Sequence, residues 1–161
     1  MVVTVSGLEA ETFFSRYWDR PGTDEWAKVL ARFSLFSGIS KRRLRKLVRH
    51  ATIAEFVPGD TVIAMNDAAH SLYLILSGSA RASGKPAART LRAGDYFGEL
   101  GLLEGAPASA TIIATSELHV MKLPPSWFFR LAHHDPTFSL TMLRNLGAQF
   151  RRLEAQAAAH I

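Results

Sequence analysis

The stretch FGELGLLEGAPASAT, residues 97–111, lies between two segments whose β-branched and aromatic residues predict strands. It contains three glycines and several other small residues, but no lysine, arginine or histidine. Proteins often hold phosphate with the backbone N–H groups of a glycine-rich turn that leads into a helix. The stretch is therefore a candidate anion-binding loop in which no side chain supplies a positive charge.

Short strand-like runs lie on both sides of this loop. They read TIAEFV, TVIAM, SLYLIL, SGSARAS, TLRAGDYFG, SATIIATS and ELHVMKL, and glycine, proline, asparagine or aspartate separates them at intervals of about ten residues. The turn-forming tripeptides 58–60 (PGD) and 93–95 (AGD) recur, one in each half of this region. The pattern predicts an antiparallel sandwich or roll rather than a parallel βαβ sheet.

Before the strands, the sequence predicts three helices. A capping box that begins at Ser6 opens an aromatic-rich helix over residues 8–18. Two acids favour the start of a second helix, which covers residues 24–33. Ser40 is the predicted N-cap of the third, KRRLRKLVRH.

After the strands, WFFRLA follows Ser126 as a short helix, and a long helix begins at Pro136 with Asp135 as its N-cap. Apolar residues in the long helix alternate in spacing between three and four, as in a coiled-coil seam. They are Leu143, Leu146, Phe150, Leu153 and Ala157. The pattern fits equally a helix that packs on its own strands and one that pairs with a second copy.

The composition predicts one folded domain with helices at its ends. The chain has 161 residues, of which 48% are hydrophobic and 20% charged. It has no cysteine, which excludes disulfides, thiolate metal sites and cysteine nucleophiles. The N-terminus lacks the basic start and apolar core of a signal peptide, and no apolar run approaches about 18 residues. We therefore expect a cytoplasmic protein without a membrane span.

The sequence contains none of the common catalytic motifs. G-x-S-x-G, G-x-x-x-x-G-K-S/T and H-E-x-x-H are all absent. The histidines at positions 50, 70, 119 and 160 are scattered, and Pro136 places the cluster His133-His134-Asp135 between two helices. We therefore expect neither an enzyme nor a metal or other cofactor.

In order and spacing, the chain from 35 to 153 resembles the cyclic nucleotide-binding domain family. The motifs that carry this resemblance are Gly59-Asp60, Leu72-Tyr73, Gly78, Gly94-Asp95, Phe97-Gly98-Glu99 and Pro107-x-Ser109-Ala110. The resemblance implies a mainly β fold: an eight-stranded antiparallel, jelly-roll-like β-roll with flanking helices. We expect an N-terminal helical extension over 1–34, the roll over 35–135, and a C-terminal helix over 136–161 that covers the ligand or mediates dimerisation.

The resemblance also implies that residues 97–111 bind the phosphate and ribose of cAMP or cGMP. The family's glutamate at the position of Glu99 accepts a hydrogen bond from the ribose 2′-hydroxyl, and the backbone near Gly98 and Leu100 shapes that contact. A carboxylate repels phosphate, so it belongs at the sugar end. Ser109 and Ala110 match positions that donate hydroxyl and backbone N–H groups to the phosphate.

Ala108 stands where the family places an arginine. A guanidinium binds phosphate through two parallel hydrogen bonds, and losing such a contact costs about 1.5–3 kcal/mol, or roughly 10- to 150-fold in affinity. The sequence therefore predicts a regulatory module that binds cAMP, cGMP or a related small ligand weakly. The alternative is a degenerate module that serves protein interaction or dimerisation without binding a nucleotide.

Other arginines are alternative sources of positive charge. Arg81 and Arg89 lie in or beside the central strands, and Arg151 and Arg152 lie on the last helix. In bacterial members of the family, the second arginine of an Arg-Arg-Leu pattern on this helix faces the pocket, so the resemblance places Arg152 beside Glu99. A solvated arginine on the protein surface is the competing interpretation for each.

Basic residues crowd the predicted helix over 41–50 and contribute much of the formal net charge of +5. They are Lys41, Arg42, Arg43, Arg45, Lys46 and Arg49. The run is either the solvated face of an amphipathic helix or a docking surface for an acidic protein, anionic lipid or nucleic acid. Bacterial transcription regulators of the family carry a helix-turn-helix domain after the long helix, and the sequence ends too soon to hold one. We therefore expect no sequence-specific DNA binding.

Overall fold

Eight strands in two antiparallel sheets form the centre of the protein, for which a computed structural model describes residues 22–68, 70–84 and 88–160. The strands are β1 (Thr52–Phe56), β2 (Thr61–Ile63), β3 (Leu72–Ser77), β4 (Ser79–Gly84), β5 (Arg89–Arg92), β6 (Tyr96–Phe97), β7 (Ala110–Ala114) and β8 (Leu118–Leu123). Sheet A has the order β1-β8-β3-β6 and sheet B the order β2-β7-β4-β5. The predicted eight-stranded roll is confirmed. The aromatic helix predicted over 8–18 lies outside the described residues.

Four of the five helices in the described part of the chain come before or after the strands, and a short one lies between β6 and β7. They are α1 (Thr23–Ala31), α2 (Lys41–His50), α3 (Glu99–Glu104), α4 (Pro125–His134) and α5 (Pro136–Ala159), and a 3₁₀ turn (Ser34–Phe36) separates α1 from α2. No helix in the described part of the chain is long and apolar enough to cross a membrane.

The predicted helix caps differ in outcome. The Ser40 hydroxyl accepts a hydrogen bond from the Arg43 backbone N–H at 3.3 Å, as predicted for the start of α2. Asp135 precedes the first residue of α5, but its side chain makes no capping hydrogen bond. Its carboxylate instead accepts a hydrogen bond from the Arg43 guanidinium at 2.9 Å. The predicted cap at Asp135 is thus correct in position and wrong in chemistry, because the ion pair with α2 takes its carboxylate.

Strand β3 lies between the two halves of the hydrophobic core. Leu72, Leu74 and Leu76 pack against the helices, whereas Tyr73 and Ile75 pack between the two sheets. Every residue of β3 is buried because both of its faces are covered. A strand covered on both faces is a continuous apolar run rather than an alternating one, as SLYLIL is.

Gly78 lets the chain pass from sheet A to sheet B. Its φ of +88° lies in the left-handed region, and a Cβ atom there would lie 2.0 Å from the Glu117 carbonyl oxygen. Only glycine fits so close an approach at positive φ. The glycine thus allows β4 to follow β3 directly in the other sheet.

The first half of α5 is anchored in the helical core. Phe138 is fully buried, with its ring 5.9 Å from that of Phe36, and Met142 is also buried. Leu143 and Phe150 of the predicted seam are 64% and 62% exposed, whereas Leu146 packs against the core. The seam pattern therefore divides between two faces of the helix.

Candidate functional site

A cavity of about 380 Å³ opens where sheet B meets α3 and α5. All of the predicted site residues lie in its wall: Gly98, Glu99, Leu100, Ala108, Ser109, Ala110 and Arg152. The volume falls within the range of about 300–1,000 Å³ that is usual for small-molecule sites. The fold thus brings together residues that are up to 54 positions apart in sequence, from Gly98 to Arg152.

The floor of the cavity is a row of residues that crosses sheet B. Ile63 pairs with Ile112, Ile112 with Ala82, and Ala82 with Arg89. Directly paired residues point to the same face of a sheet, so these four share the inner face. The next row inward consists of the buried residues Ala114, Ala80 and Leu91. The cavity therefore begins where the packed core ends, and Arg89 is the charged member of an otherwise apolar row.

Gly98 fixes the start of α3 beside the cavity. Its φ is +91°, and a Cβ atom there would lie 2.6 Å from the Ser71 carbonyl oxygen and 3.1 Å from the Tyr73 ring. Both the conformation and the close approach exclude larger residues. Because the backbone turns sharply at this glycine, the next residue, Glu99, enters the cavity wall with only 4% of its surface exposed.

The electrostatic environment of Glu99 is dominated by its burial. Burial removes water from the carboxylate and raises the pKa of Glu99, while the backbone N–H of Glu99 itself and the positive charge of Arg89 oppose this shift only in part. No described residue forms an ion pair with Glu99 within 4.0 Å. Glu99 is therefore a buried hydrogen-bonding group that faces a cavity.

The predicted pairing of Arg152 with Glu99 is not found among the described residues. Arg152 lines the cavity from α5, but its side chain is exposed, where water solvates the guanidinium. Arg89 is the cation whose charge acts on Glu99. Arg81 pairs with Thr90 and Ile113 in the outward-facing row of sheet B and does not line the cavity.

Ala108 is held in the wall by its backbone. Its N–H donates to the Asp67 carbonyl oxygen at 2.8 Å, and its carbonyl oxygen accepts from the Asn66 N–H at 2.9 Å. A further hydrogen bond of 3.0 Å joins the Met65 N–H to the Thr111 hydroxyl. These bonds connect the loop after β2 to the segment before β7. These hydrogen bonds hold residue 108 in the cavity wall. Its side chain there is a methyl group, which donates no hydrogen bond to a ligand.

Helix α5 forms the remaining wall. Gln149, Arg152, Leu153 and Gln156 line the cavity and lie on one side of the helix, because residues three, four and seven apart share a face. The resemblance makes residues 153–157 of this helix candidates to cover the base, and that range includes Gln156, whereas Gln149 was not predicted. Both glutamines follow the helical spacing that begins with the buried residues Phe138 and Met142. This spacing is visible in the sequence and indicates that they lie on the same side of the helix.

A hydrogen bond connects α5 to the strand that precedes the site. The Asn145 side-chain amide donates to the Tyr96 hydroxyl at 2.9 Å. Tyr96 is in β6, three residues before Glu99. The position of α5 is thus coupled to the backbone that carries Glu99.

Comparison with known proteins places these features in a family. The family model for the cyclic nucleotide-binding domain matches residues 53–135 of the sequence. The cAMP-dependent protein kinase regulatory subunit of Hypocrea atroviridis is 37% identical over 107 residues, which are 66% of this chain and 23% of that protein. The chain thus spans about a quarter of the length of this relative.

Two solved structures show the same fold at lower identity. One is the regulatory domain of Toxoplasma gondii PKA in co-crystals with cAMP, with a TM-score of 0.70, 22% identity, and coverage of 78% of this chain and 50% of that one. The other is the regulatory subunit of a cAMP-independent protein kinase A from Trypanosoma brucei, with a TM-score of 0.61, 21% identity, and coverage of 76% and 50%. The family match covers half of the sequence and includes the loop that borders the cavity, so the chain belongs to the cyclic nucleotide-binding domain family.

Proposed function

We propose that this chain is a non-enzymatic regulatory module that binds cAMP, cGMP or a related small ligand in the cavity beside Glu99. The observation that carries the proposal is the convergence of every predicted site residue on one cavity of about 380 Å³. The regulatory subunits among its relatives, and the neighbouring structure in complex with cAMP, support the same ligand class.

Glu99 suits the ribose end of such a ligand. A buried carboxyl group without an ionic partner is costly unless a donor reaches it. The backbone N–H of Glu99 already donates to this carboxyl group, and a ribose hydroxyl that enters the cavity would add a second hydrogen bond and offset more of the cost of burial. Ser109, directly before β7, and Ala110, its first residue, line the same cavity and would contact the phosphate.

Ala108 makes this a weak site for a phosphate. The hydrogen bonds of its backbone hold position 108 in the wall, so an arginine there would start from the edge of the cavity. The cavity is instead lined by two other arginines, Arg89 on β5 and Arg152 on α5. We therefore expect affinity below that of a site with arginine at this position.

The helix α5 would transmit ligand binding. Its second half contributes Gln149, Arg152 and Gln156 to the cavity, and this half carries no fully buried residue. A helix segment that has no buried side chain is moved at small energetic cost. A ligand that contacts these side chains would favour the docked position over an undocked one.

Calorimetric titration with cAMP and cGMP tests this function. The natural chain is expected to bind at least one of them, and Ala108→Arg to bind about 10- to 150-fold more tightly. Ala148→Arg is the matched control, since residue 148 is exposed on α5 and outside the cavity wall. Natural affinity equal to that of Ala108→Arg would contradict the role of Ala108. Absence of binding by both proteins would contradict the nucleotide site.

The second candidate is an interaction or dimerisation module without a nucleotide. The exposed apolar side chains Leu140, Leu143 and Phe150 on one side of α5 favour it, because such a stripe on a helix is typical of a surface that pairs with a second copy. The double variant Leu143→Asp, Phe150→Asp leaves the packed residues intact and is expected to halve the mass measured by light scattering. An unchanged mass would contradict dimerisation through this stripe.

A further inference from the structure

A second cavity, of about 210 Å³, lies between α2 and α4, apart from the residues that line the first. Its apolar part consists of the buried Leu131 and the half-buried Trp127. Basic groups surround it: Arg43 and Lys46 from α2, and Arg130 and His134 from α4. The cavity thus combines an apolar floor with a cationic rim.

The single acid in the wall is already neutralised. The Asp135 carboxylate is buried and lies 2.9 Å from the Arg43 guanidinium. Among the residues that the structure describes, Lys46 and Arg130 have no acidic partner within 4.0 Å. Arg42 and Arg49 on the same helix are likewise exposed and unpaired there. The rim therefore has an excess of positive charge.

The shape and the contacts of this cavity favour a peptide over a lipid surface or a nucleic acid. Insertion into a lipid surface uses a row of exposed apolar residues beside the cations. Leu44 and Leu47 of α2 are only 2% and 1% exposed, and on α4 Phe129 alone is 37% exposed, with its ring against Phe128 and His133. Stacking on a base requires an open aromatic face. The Trp127 ring already stacks on His50 at 4.8 Å and carries the Arg130 guanidinium at 4.9 Å. An acidic peptide offers carboxylates for the rim and an apolar side chain for the floor.

We propose that the cavity between α2 and α4 is a docking site for an acidic segment of a partner protein, with an apolar side chain against Leu131 and the edge of the Trp127 ring and carboxylates against Lys46 and Arg130. The docked segment would contact the junction between α4 and α5, where Arg43 holds Asp135. This site is separate from the nucleotide cavity, so the proposal does not depend on nucleotide binding.

A fluorescent peptide of alternating glutamate and leucine residues is a suitable probe. Fluorescence anisotropy with the full chain is expected to show binding that weakens as salt is raised, and a matched peptide with glutamine in place of glutamate should not bind. Lys46→Glu and Arg130→Glu are expected to weaken binding at least about tenfold, because each places like charges opposite the peptide. The control is Arg81→Glu, which makes the same change of charge on the outer face of sheet B and should bind as the natural chain does.

The indole N–H signal of Trp127, assigned with Trp127→Phe, gives a direct readout by NMR and is expected to shift on addition of the peptide. The proposal is overturned if the peptide does not bind, if Arg81→Glu weakens binding as much as Lys46→Glu, or if the Trp127 signal does not move. It is also overturned if vesicles that contain phosphatidylserine, or duplex DNA, bind in place of the peptide and show the same dependence on Lys46 and Arg130. Unchanged circular dichroism of the two rim variants separates loss of binding from loss of folding.

Discussion

Replacement of Gly98 by alanine tests whether this residue sets the geometry of the cavity wall. Gly98 joins β6 to α3 at a φ of +91°. A side chain in the left-handed region costs about 1–2 kcal/mol. The new Cβ atom would also lie 2.6 Å from the Ser71 carbonyl oxygen, which belongs to the backbone and cannot rotate away. Such overpacking costs typically about 1–3 kcal/mol.

We therefore expect Gly98→Ala to lower the free energy of unfolding by about 2–5 kcal/mol. This is a large part of the roughly 5–15 kcal/mol that stabilises a typical domain. Urea denaturation followed by circular dichroism measures the change as a lower midpoint at a similar slope. Movement of the backbone away from Ser71 would also displace Glu99, so affinity for cAMP or cGMP should fall.

Gly105→Ala is the matched control at the other end of α3. Its φ is +62°, but no atom lies within 4 Å of an added Cβ. It carries the conformational cost of about 1–2 kcal/mol without the overlap. If Gly98→Ala destabilises the protein no more than Gly105→Ala does, the close approach to Ser71 is not a constraint and the reasoning about Gly98 is wrong.

Three further substitutions test the site and the attachment of α5. Because burial raises the pKa of Glu99, the folded state binds this proton more tightly than the unfolded state, and the free energy of unfolding should fall as pH rises through the raised pKa. Glu99→Gln removes this titrating group. The free energy of unfolding of the natural chain minus that of the variant should therefore decline as pH rises, which denaturation at several pH values measures. A difference that does not decline would contradict the assignment. Phe138→Ala should lower the free energy of unfolding by about 3–5 kcal/mol, measured by thermal or urea denaturation, because the ring is fully buried against other aromatic rings. A decrease below about 1 kcal/mol would show that α5 is not anchored there. Asn145→Ala should cost about 1 kcal/mol and speed amide hydrogen exchange in the second half of α5, and unchanged exchange would mean that the bond to Tyr96 does not hold the helix.

Much of the fold could be predicted because its signals are local. Short β-branched runs between turn residues indicated the antiparallel roll, and the Ser40 cap and Pro136 marked the starts of α2 and α5. The loop residues Gly98 and Glu99, which line the cavity, could be singled out because their motif is continuous in sequence. The chemistry of Asp135 was not predictable, since its carboxylate bonds to Arg43, which lies 92 positions away.

The positions of the cations illustrate the same limit. Arg81 on β4 and Arg89 on the edge strand β5 both lie in sheet B, and the local sequence does not show which of them faces the cavity. The pairing of Ala82 with Arg89 and with Ile112 places Arg89 on the inner face, in the row where the core gives way to the cavity. Arg81, one residue from Ala82, faces outward because successive strand residues point to opposite faces.

By itself, the sequence determined the family, the antiparallel roll, the loop that borders the cavity and the absence of an arginine at position 108. Only the tertiary structure decided which face of α5 meets the roll, that Gln149 and Gln156 complete the cavity, and that Arg89 rather than Arg152 acts electrostatically on Glu99. Periodicity and turn chemistry are properties of neighbouring residues, and the sequence records them directly. The register between strands and the docking of a helix depend on contacts between distant segments, which form only when the chain folds.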